Sequence, residues 1–145
     1  APIGSSGRRR WWMKALVVDD RKALDRGLRQ ALLQAGFEVF RASENQEAVD
    51  FLDECGPVDL ALVNWKLHRG EGLQFVRFVR ASRKYDRLRL IMLTPVLDTG
   101  AILDAVRLGV DEFVIEPVTR QKVLVKLANL RFPQVGNARS SGVNR

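Results

Sequence analysis

The sequence contains one cysteine, Cys55, and one histidine, His68. A single cysteine excludes an internal disulfide, and its position near the end of a predicted helix favours a partly buried thiol. His68 lies on a predicted loop, where the sequence offers no nucleophile for it to activate. We therefore interpret His68 as a solvent-exposed residue rather than a general base.

Long apolar runs are also missing. No stretch approaches the roughly 20 apolar residues that a membrane-spanning helix needs, and the N-terminus lacks the apolar stretch of a signal peptide. We therefore expect a cytoplasmic protein without a membrane span. With 145 residues, of which 46% are hydrophobic, the chain is suited to one compact domain.

Acidic residues are absent from both ends of the chain. Residues 1–12 and 131–145 contain three arginines each, so the net charge of +7 leaves only +1 for residues 13–130. Both end segments are rich in Gly and Ser. We predict a flexible basic segment at 1–12, part of which can derive from a cloning vector, a domain at 13–130 and a flexible tail or linker at 131–145. As an alternative, residues 8–12 form an arm for a membrane surface or a nucleic acid.

Between these ends, short apolar runs alternate with segments of helical periodicity. Strands are predicted at residues 15–18, 37–41, 60–63, 88–93 and 113–115. A helix is predicted after each strand, and Ser43 is the expected cap of the second helix. Five such units predict an α/β fold in which helices cover both faces of an open five-stranded parallel sheet.

Polar residues follow the predicted strands at their carboxyl ends. They are Asp19, Asp20, Asn64, Thr94 and Glu116. Because ligands of parallel sheets bind beyond the carboxyl ends of the strands, we expect these side chains to converge.

Five stretches of the sequence carry a family pattern. They are residues 14–20 (KALVVDD), 62–67 (LVNWKL), 70–73 (GEGL), 92–94 (MLT) and 109–118 (GVDEFVIEPV). In this order and spacing they resemble the signatures of CheY-like receiver domains of two-component response regulators, over residues 13–130. The resemblance implies a flavodoxin-like (βα)5 receiver fold and a role in two-component signal transduction.

The resemblance also implies roles for four positions that match the family. Asp19 and Asp20 match the acidic pair that holds Mg²⁺ in receivers. Thr94 matches the hydroxyl residue that contacts the phosphoryl group, and Phe113 matches the aromatic residue that changes rotamer on activation. These two residues are therefore the expected switch positions.

Two positions depart from the family in the reaction itself. Asn64 stands where receivers have the phosphoacceptor aspartate, and Glu116 stands where they have a lysine before proline. An amide cannot form an acyl phosphate, and a carboxylate opposes the incoming phosphoryl group. Two departures in one chemistry favour natural degeneration over a laboratory block of one aspartate. On the loop, His68 replaces a proline that is usual in the family.

Asp19, Asp20 and Glu116 together form an acid pocket with a formal charge of −3, which needs compensation. One hypothesis is a salt bridge from a nearby cation, for which the candidates are Arg21, Lys66 and Arg69. A second is a divalent ion, Mg²⁺ or Ca²⁺, with ligands from Asp19, Asp20, Asn64 and Glu116. A third is a carboxyl group with a raised pKa. No cofactor is expected to be required.

From these departures we predict an atypical, phosphorylation-incompetent receiver that is not an enzyme and acts as a protein-interaction module. The expected partner is a histidine kinase, an output domain or another signalling protein, with homodimerisation through the fourth helix, fifth strand and fifth helix as a further expectation. Nucleic acid is expected only through a separate output domain.

Two alternatives stay open. In one, the chain is a conventional receiver of a transcriptional or chemotaxis-type regulator whose acceptor is mutated to Asn64. In the other, it is a metal-dependent hydrolase that uses the acid cluster, although the sequence offers only the acids.

A basic run lies outside this pattern. It consists of Arg77, Arg80, Arg83, Lys84, Arg87 and Arg89, against the single acid Asp86. We interpret the run as a solvated helix face. The alternative is a basic surface for an acidic protein partner or nucleic acid.

Overall fold

The computed structural model describes residues 13–21, 25–67, 72–95 and 99–132. In this part of the chain, five strands form one parallel sheet in the order β2-β1-β3-β4-β5. The strands are β1 (Met13–Val18), β2 (Phe37–Ala42), β3 (Leu60–Asn64), β4 (Arg89–Thr94) and β5 (Glu112–Ile115). The helices are α1 (Asp25–Gln34), α2 (Asn45–Glu54), α3 (Gly72–Arg80), α4 (Thr99–Leu108) and α5 (Arg120–Leu130), with a short 3₁₀ helix at Arg83–Tyr85.

The central strands are apolar throughout because both faces of the sheet are covered. Alternate residues point to opposite faces, so Leu16 and Val18 join one core while Ala15 and Val17 join the other. The first core contains buried residues of α2, α3 and α4, and the second contains those of α1 and α5. The predicted parallel sheet with helices on both faces is therefore confirmed.

Two local predictions are wrong. Ser43 does not cap α2, because the helix is preceded by Glu44, and the Ser43 amide instead donates to Glu47 Oε1 at 2.8 Å. Cys55 is exposed rather than partly buried. It follows the last residue of α2 where the chain turns through Gly56, whose φ of +81° carries it off the helix.

Contacts of the domain extend to Phe132, two residues past the predicted boundary. The Phe132 ring packs edge-on against Phe37, with 5.2 Å between the ring centroids. The predicted segments at 1–12 and after 132 lie outside the described residues. No described helix has the length and apolar character needed to span a membrane.

Candidate functional site

The site lies at the carboxyl edge of the sheet, where β1 and β3 are neighbours. Val18 is paired with Val63, so Asp19 and Asn64 follow side by side at the ends of these strands. The chain order reverses here, because β2 lies on one side of β1 and the later strands lie on the other. In open α/β sheets, such a switch point is the usual place for a ligand crevice.

Gly72 brings helix α3 close to the end of β3. A Cβ atom at this position would lie 2.7 Å from the Trp65 carbonyl oxygen and closer still to that of Asn64. Any larger residue would therefore push the start of α3 away from the site. The segment before the helix, residues 68–71, lies outside the described residues.

Arg21 joins two acids of the pocket. Its Nη2 atom donates to Asp19 Oδ2 at 3.2 Å and makes a short hydrogen bond to Glu116 Oε2, while its Nε atom donates to Asp19 Oδ1 at 3.2 Å. The side chain of Arg21 is 39% exposed, whereas Asp19 is 1% and Glu116 is 16% exposed. The guanidinium therefore connects the loop after β1 to the loop after β5. Arg21 is one of the three candidate cations that the sequence offered for this salt bridge.

These contacts affect the titration of Arg21. The hydrogen bond that Arg21 donates to Glu116 raises the pKa of Arg21, desolvation lowers it, and Asp19 raises it again, with a net shift upward. A raised pKa keeps the guanidinium charged to even higher pH than usual, so this cation persists throughout the neutral range.

Asp19 accepts more hydrogen bonds than those of the Arg21 side chain. Its Oδ1 atom also accepts from the Arg21 amide at 2.8 Å and from Asn64 Nδ2 at 3.3 Å. Arg41 donates from Nη2 to the Asp19 main-chain carbonyl at 2.9 Å. A second guanidinium therefore lies beside the acid pocket, since Arg41 stands opposite Val17 on β2.

Asn64 is 2% exposed and both ends of its amide are engaged. Its nitrogen donates to Asp19, and its oxygen accepts from the Lys66 amide at 2.9 Å. An aspartate in this orientation would place a carboxylate oxygen against Asp19. The amide avoids that repulsion because it presents a donor to the acid.

These contacts bear on the predicted divalent ion. A Mg²⁺ or Ca²⁺ site needs several oxygen ligands that face a common point. Here both Asp19 oxygens accept from Arg21, and the Asn64 oxygen faces the Lys66 amide. Among the described residues, no group of three Asp, Glu, His or Cys side chains is placed to hold a metal. The residues in this arrangement do not fit a divalent ion.

The remaining predicted residues are placed as follows. Thr94 is buried at the end of β4, and its carbonyl accepts from the Glu116 amide at 2.8 Å. Asp20 is exposed beside Asp19, and Phe113 is half-buried on β5 against the α2–α4 core. Their functional roles stay predictions. His68 and Arg69 lie outside the described residues.

An apolar cleft lies between α4, β5 and α5. It has a volume of about 470 Å³, and its lining includes Ile102, Phe113 and Val125. Lys122 spans one side, donating from Nζ to the carbonyls of Ile115 at 2.8 Å and Pro117 at 3.0 Å. Lys122 thus braces the loop that carries Glu116.

Sequence reasoning missed Arg41 and Lys122. Arg41 is the second-last residue of β2, whose end is adjacent to the end of β1 in any sheet of this order, so strand order would have placed it near Asp19. Lys122 lies in the first turn of α5, three residues after Thr119, the last residue of the loop after β5. The lysine alone gave no signal, because its partners are main-chain carbonyls.

A sheet of this order with an acidic carboxyl edge defines a receiver of the flavodoxin-like type, and comparison with known proteins agrees. The family model for the response regulator receiver domain matches residues 15–128. The chain therefore belongs to the response regulator receiver domain family.

Comparisons with individual proteins agree with this assignment. The chain is 31% identical over 119 residues to a chemotaxis protein CheY homolog of Campylobacter jejuni, covering 81% of this chain and 92% of that protein. It is 31% identical over 114 residues to the phosphate regulon transcriptional regulatory protein PhoB of Rhizobium meliloti, covering 79% of this chain and 50% of PhoB. The crystal structure of a response regulator from Thermotoga maritima shares the fold, with a TM-score of 0.73 at 24% identity and coverage of 82% and 97%.

Proposed function

We propose that this receiver works without phosphorylation, as a protein-interaction module of a two-component system in the cytoplasm. The observation that carries the proposal is the Arg21 guanidinium bound to both Asp19 and Glu116, next to an amide at the acceptor position. The three groups that phosphoryl transfer needs are a nucleophile, a divalent ion and a cation facing the phosphoryl oxygens. Asn64 removes the nucleophile, and Arg21 holds the acids that would bind the ion.

The bridge also suggests how the conformation is set. In a phosphorylated receiver, the phosphoryl group links the acceptor strand to the lysine after the fifth strand. Here Arg21 links the loops after β1 and β5 without any covalent modification. The population of conformers is then fixed by the sequence and shifted only by partner binding.

The face formed by α4, β5 and α5 is the proposed docking surface for a kinase, an output domain, another signalling protein or a second copy. Leu103, Val106 and Val125 are all exposed there, beside the apolar cleft. Exposed apolar side chains that are grouped in this way are typical of interaction sites.

Phosphorylation chemistry tests the proposal. The parent, Asn64→Asp and Asn64→Asp/Glu116→Lys are incubated with acetyl phosphate and Mg²⁺, and intact mass is measured. We expect no phosphoryl adduct on the parent, little on Asn64→Asp because Glu116 still faces the site, and more on the double variant. Efficient labelling of Asn64→Asp alone would favour a conventional receiver with a mutated acceptor, which the retained Asp19, Asp20 and Thr94 make the second candidate.

The hydrolase alternative predicts a different result. Turnover of a phosphate ester that depends on added metal and is lost in Asp19→Asn would support it. We expect no turnover, because Arg21 occupies the acids that would have to hold the metal.

A further inference from the structure

A basic groove lies at the amino edge of the sheet, opposite the acid pocket. It forms where the chain enters β3 and β4 and where α5 ends, and it has a volume of about 1000 Å³. Its cations are Arg83, Lys84, Arg87, Arg89 and Arg131. Its remaining lining residues are Pro57, Val58, Asp59, Tyr85, Asp86, Leu88 and Phe132.

Most of these cations have no carboxylate partner in the part of the chain that the structure describes. Arg89 pairs with Asp111 at 3.6 Å. For the other four, all of them exposed, no carboxylate within the described ranges lies at salt-bridge distance. Of the two acids that line the groove, Asp59 accepts the Lys14 amide at 2.8 Å. The groove therefore presents a surplus of positive charge to solvent.

The backbone that carries the cations is held in place by Arg80. This side chain donates to the carbonyls of Tyr85 at 3.1 Å, Leu88 at 2.7 Å and Gly109 at 3.0 Å. Residue 109 must be glycine for this, because its φ is +109° and a Cβ atom would lie 2.8 Å from the Arg80 side chain. A fixed backbone lowers the entropy lost when a ligand binds its side chains.

The aromatic residues of the groove are packed against the protein. Tyr85 packs against Phe78, with 5.9 Å between centroids, and Lys84 Nζ lies 5.6 Å from the Tyr85 centroid. Phe132 packs against Phe37. Proteins bind single-stranded nucleic acids by stacking the bases on open aromatic rings. The rings of Tyr85 and Phe132 are instead packed against other rings of the protein. The exposed acid Asp86 also opposes a continuous row of phosphates.

The chain's own tail does not supply the missing charge. Residues 133–145 follow directly from the groove at Phe132, and they contain Arg139 and Arg145 but no acid. The side chains of this segment therefore offer no carboxylate to the groove.

We propose that the basic groove binds an acidic segment of a partner protein that also carries apolar side chains. Carboxylates of the segment pair with Arg83, Lys84 and Arg87, and its apolar side chains cover Pro57 and the exposed part of Phe132. This interaction is separate from the α4–β5–α5 face, so a partner can bind at both ends of the domain.

Fluorescence anisotropy of the full chain with labelled probes tests the proposal. The probes are a Glu/Leu peptide, a Glu/Ser peptide of equal length and charge, and oligo(dT) of equal charge. The test variant is Arg83→Glu/Arg87→Glu. The matched control is Arg26→Glu/Arg29→Glu, which makes the same change in net charge at two exposed positions of α1.

We expect the Glu/Leu peptide to bind tightest, and the test variant to weaken it at least about tenfold while the control changes it less than about twofold. Binding should also weaken between about 50 and about 200 mM salt. Equal weakening in both variants, or no binding of the peptide, would overturn the proposal. Tighter binding of oligo(dT) would replace it with nucleic acid, and self-association lost only in the test variant would replace it with a second copy.

Discussion

The two edges of the sheet handle charge in opposite ways. At the carboxyl edge, Asp19 and Glu116 are both paired with Arg21 of the same domain. At the amino edge, four cations of the basic groove face solvent, and no carboxylate in the described part of the chain lies at salt-bridge distance from them. A charge that is paired within the domain helps to hold one conformation, whereas a charge that faces solvent is available to a ligand. Under the proposed function, the edge that receivers use for chemistry is closed in this protein, and the opposite edge is open to a ligand.

Each edge is also fastened by one arginine. Arg21 joins two carboxylates and is partly exposed, while Arg80 joins three main-chain carbonyls and the Asp111 carboxylate and is more buried. Hydrogen bonds to buried carbonyls are costly to lose because the carbonyls find no other donor. We therefore expect the arginine at the amino edge to contribute more to stability.

The largest effect is expected from Arg80→Gln. The shorter, uncharged amide cannot reach the carbonyls of both Leu88 and Gly109, and it loses the ion pair with Asp111, whereas the Tyr85 carbonyl keeps the Leu88 amide as a donor. The free energy of unfolding should therefore fall by about 3 kcal/mol. Urea unfolding measures this, with Arg77→Gln on the exposed face of α3 as the control. A loss below that of Arg21→Gln would reverse the ranking of the two edges.

Arg21→Gln should destabilise the domain by about 2 kcal/mol. The change leaves Asp19 buried beside Glu116 without a full counter-charge, but the exposure of Arg21 reduces the cost below that of a fully buried pair. The control is Arg26→Gln on the surface of α1, which should change stability by less than about 0.5 kcal/mol. Equal stability of Arg21→Gln and the parent would show that the bridge carries no net stabilisation.

Glu116→Gln should lower the free energy of unfolding by a smaller amount, about 1 kcal/mol. Arg21 would keep Asp19 but lose the charge of its second partner. Thermal unfolding in chelator measures the effect, with the exposed Glu54→Gln as the matched change elsewhere. Stabilisation by Glu116→Gln would mean that repulsion between Glu116 and Asp19 outweighs the bridge.

The smallest effect is expected from shortening the chain. Ending it after residue 132 should change stability by less than about 0.5 kcal/mol, because the Phe132 ring remains on Phe37. Ending it after residue 130 removes that ring and should cost measurably more. If the two shortened chains have the same melting temperature, the contact of Phe132 with the domain does not stabilise it. The basic groove is then less rigid at Phe132 than described.

The fold could be predicted because its signals are local. Runs such as residues 60–63 are apolar on both faces, and Gly36 and Gly56 mark the turns after α1 and α2. The cap of α2 could not be predicted. The Ser43 amide donates to the Glu47 side chain, whereas the expected cap would use the Ser43 side chain, and the same two residues permit either arrangement. The exposure of Cys55 depends on where the chain leaves the helix, which periodicity does not define.

The candidate site was predictable at the level of which strand ends meet. Asp19 and Asn64 follow neighbouring strands, and this depends only on sheet order. The sequence did not predict which of Arg21, Lys66 and Arg69 is the compensating cation. All three are close in sequence, and the direction of each side chain decides between them. The basic groove combines residues from Pro57 to Phe132, and no stretch of sequence shows that they share a surface.

Magnesium binding tests the central claim most directly, namely that Arg21 takes the place of a divalent ion in the acid pocket. The melting temperatures of the parent and Arg21→Gln are measured in chelator and in millimolar Mg²⁺. A ligand that binds only the folded state raises its melting temperature. We expect the parent to shift by less than about 1 °C and Arg21→Gln to shift upward by several degrees, because the variant frees the oxygens of Asp19. A parent that Mg²⁺ stabilises as much as the variant would contradict the account.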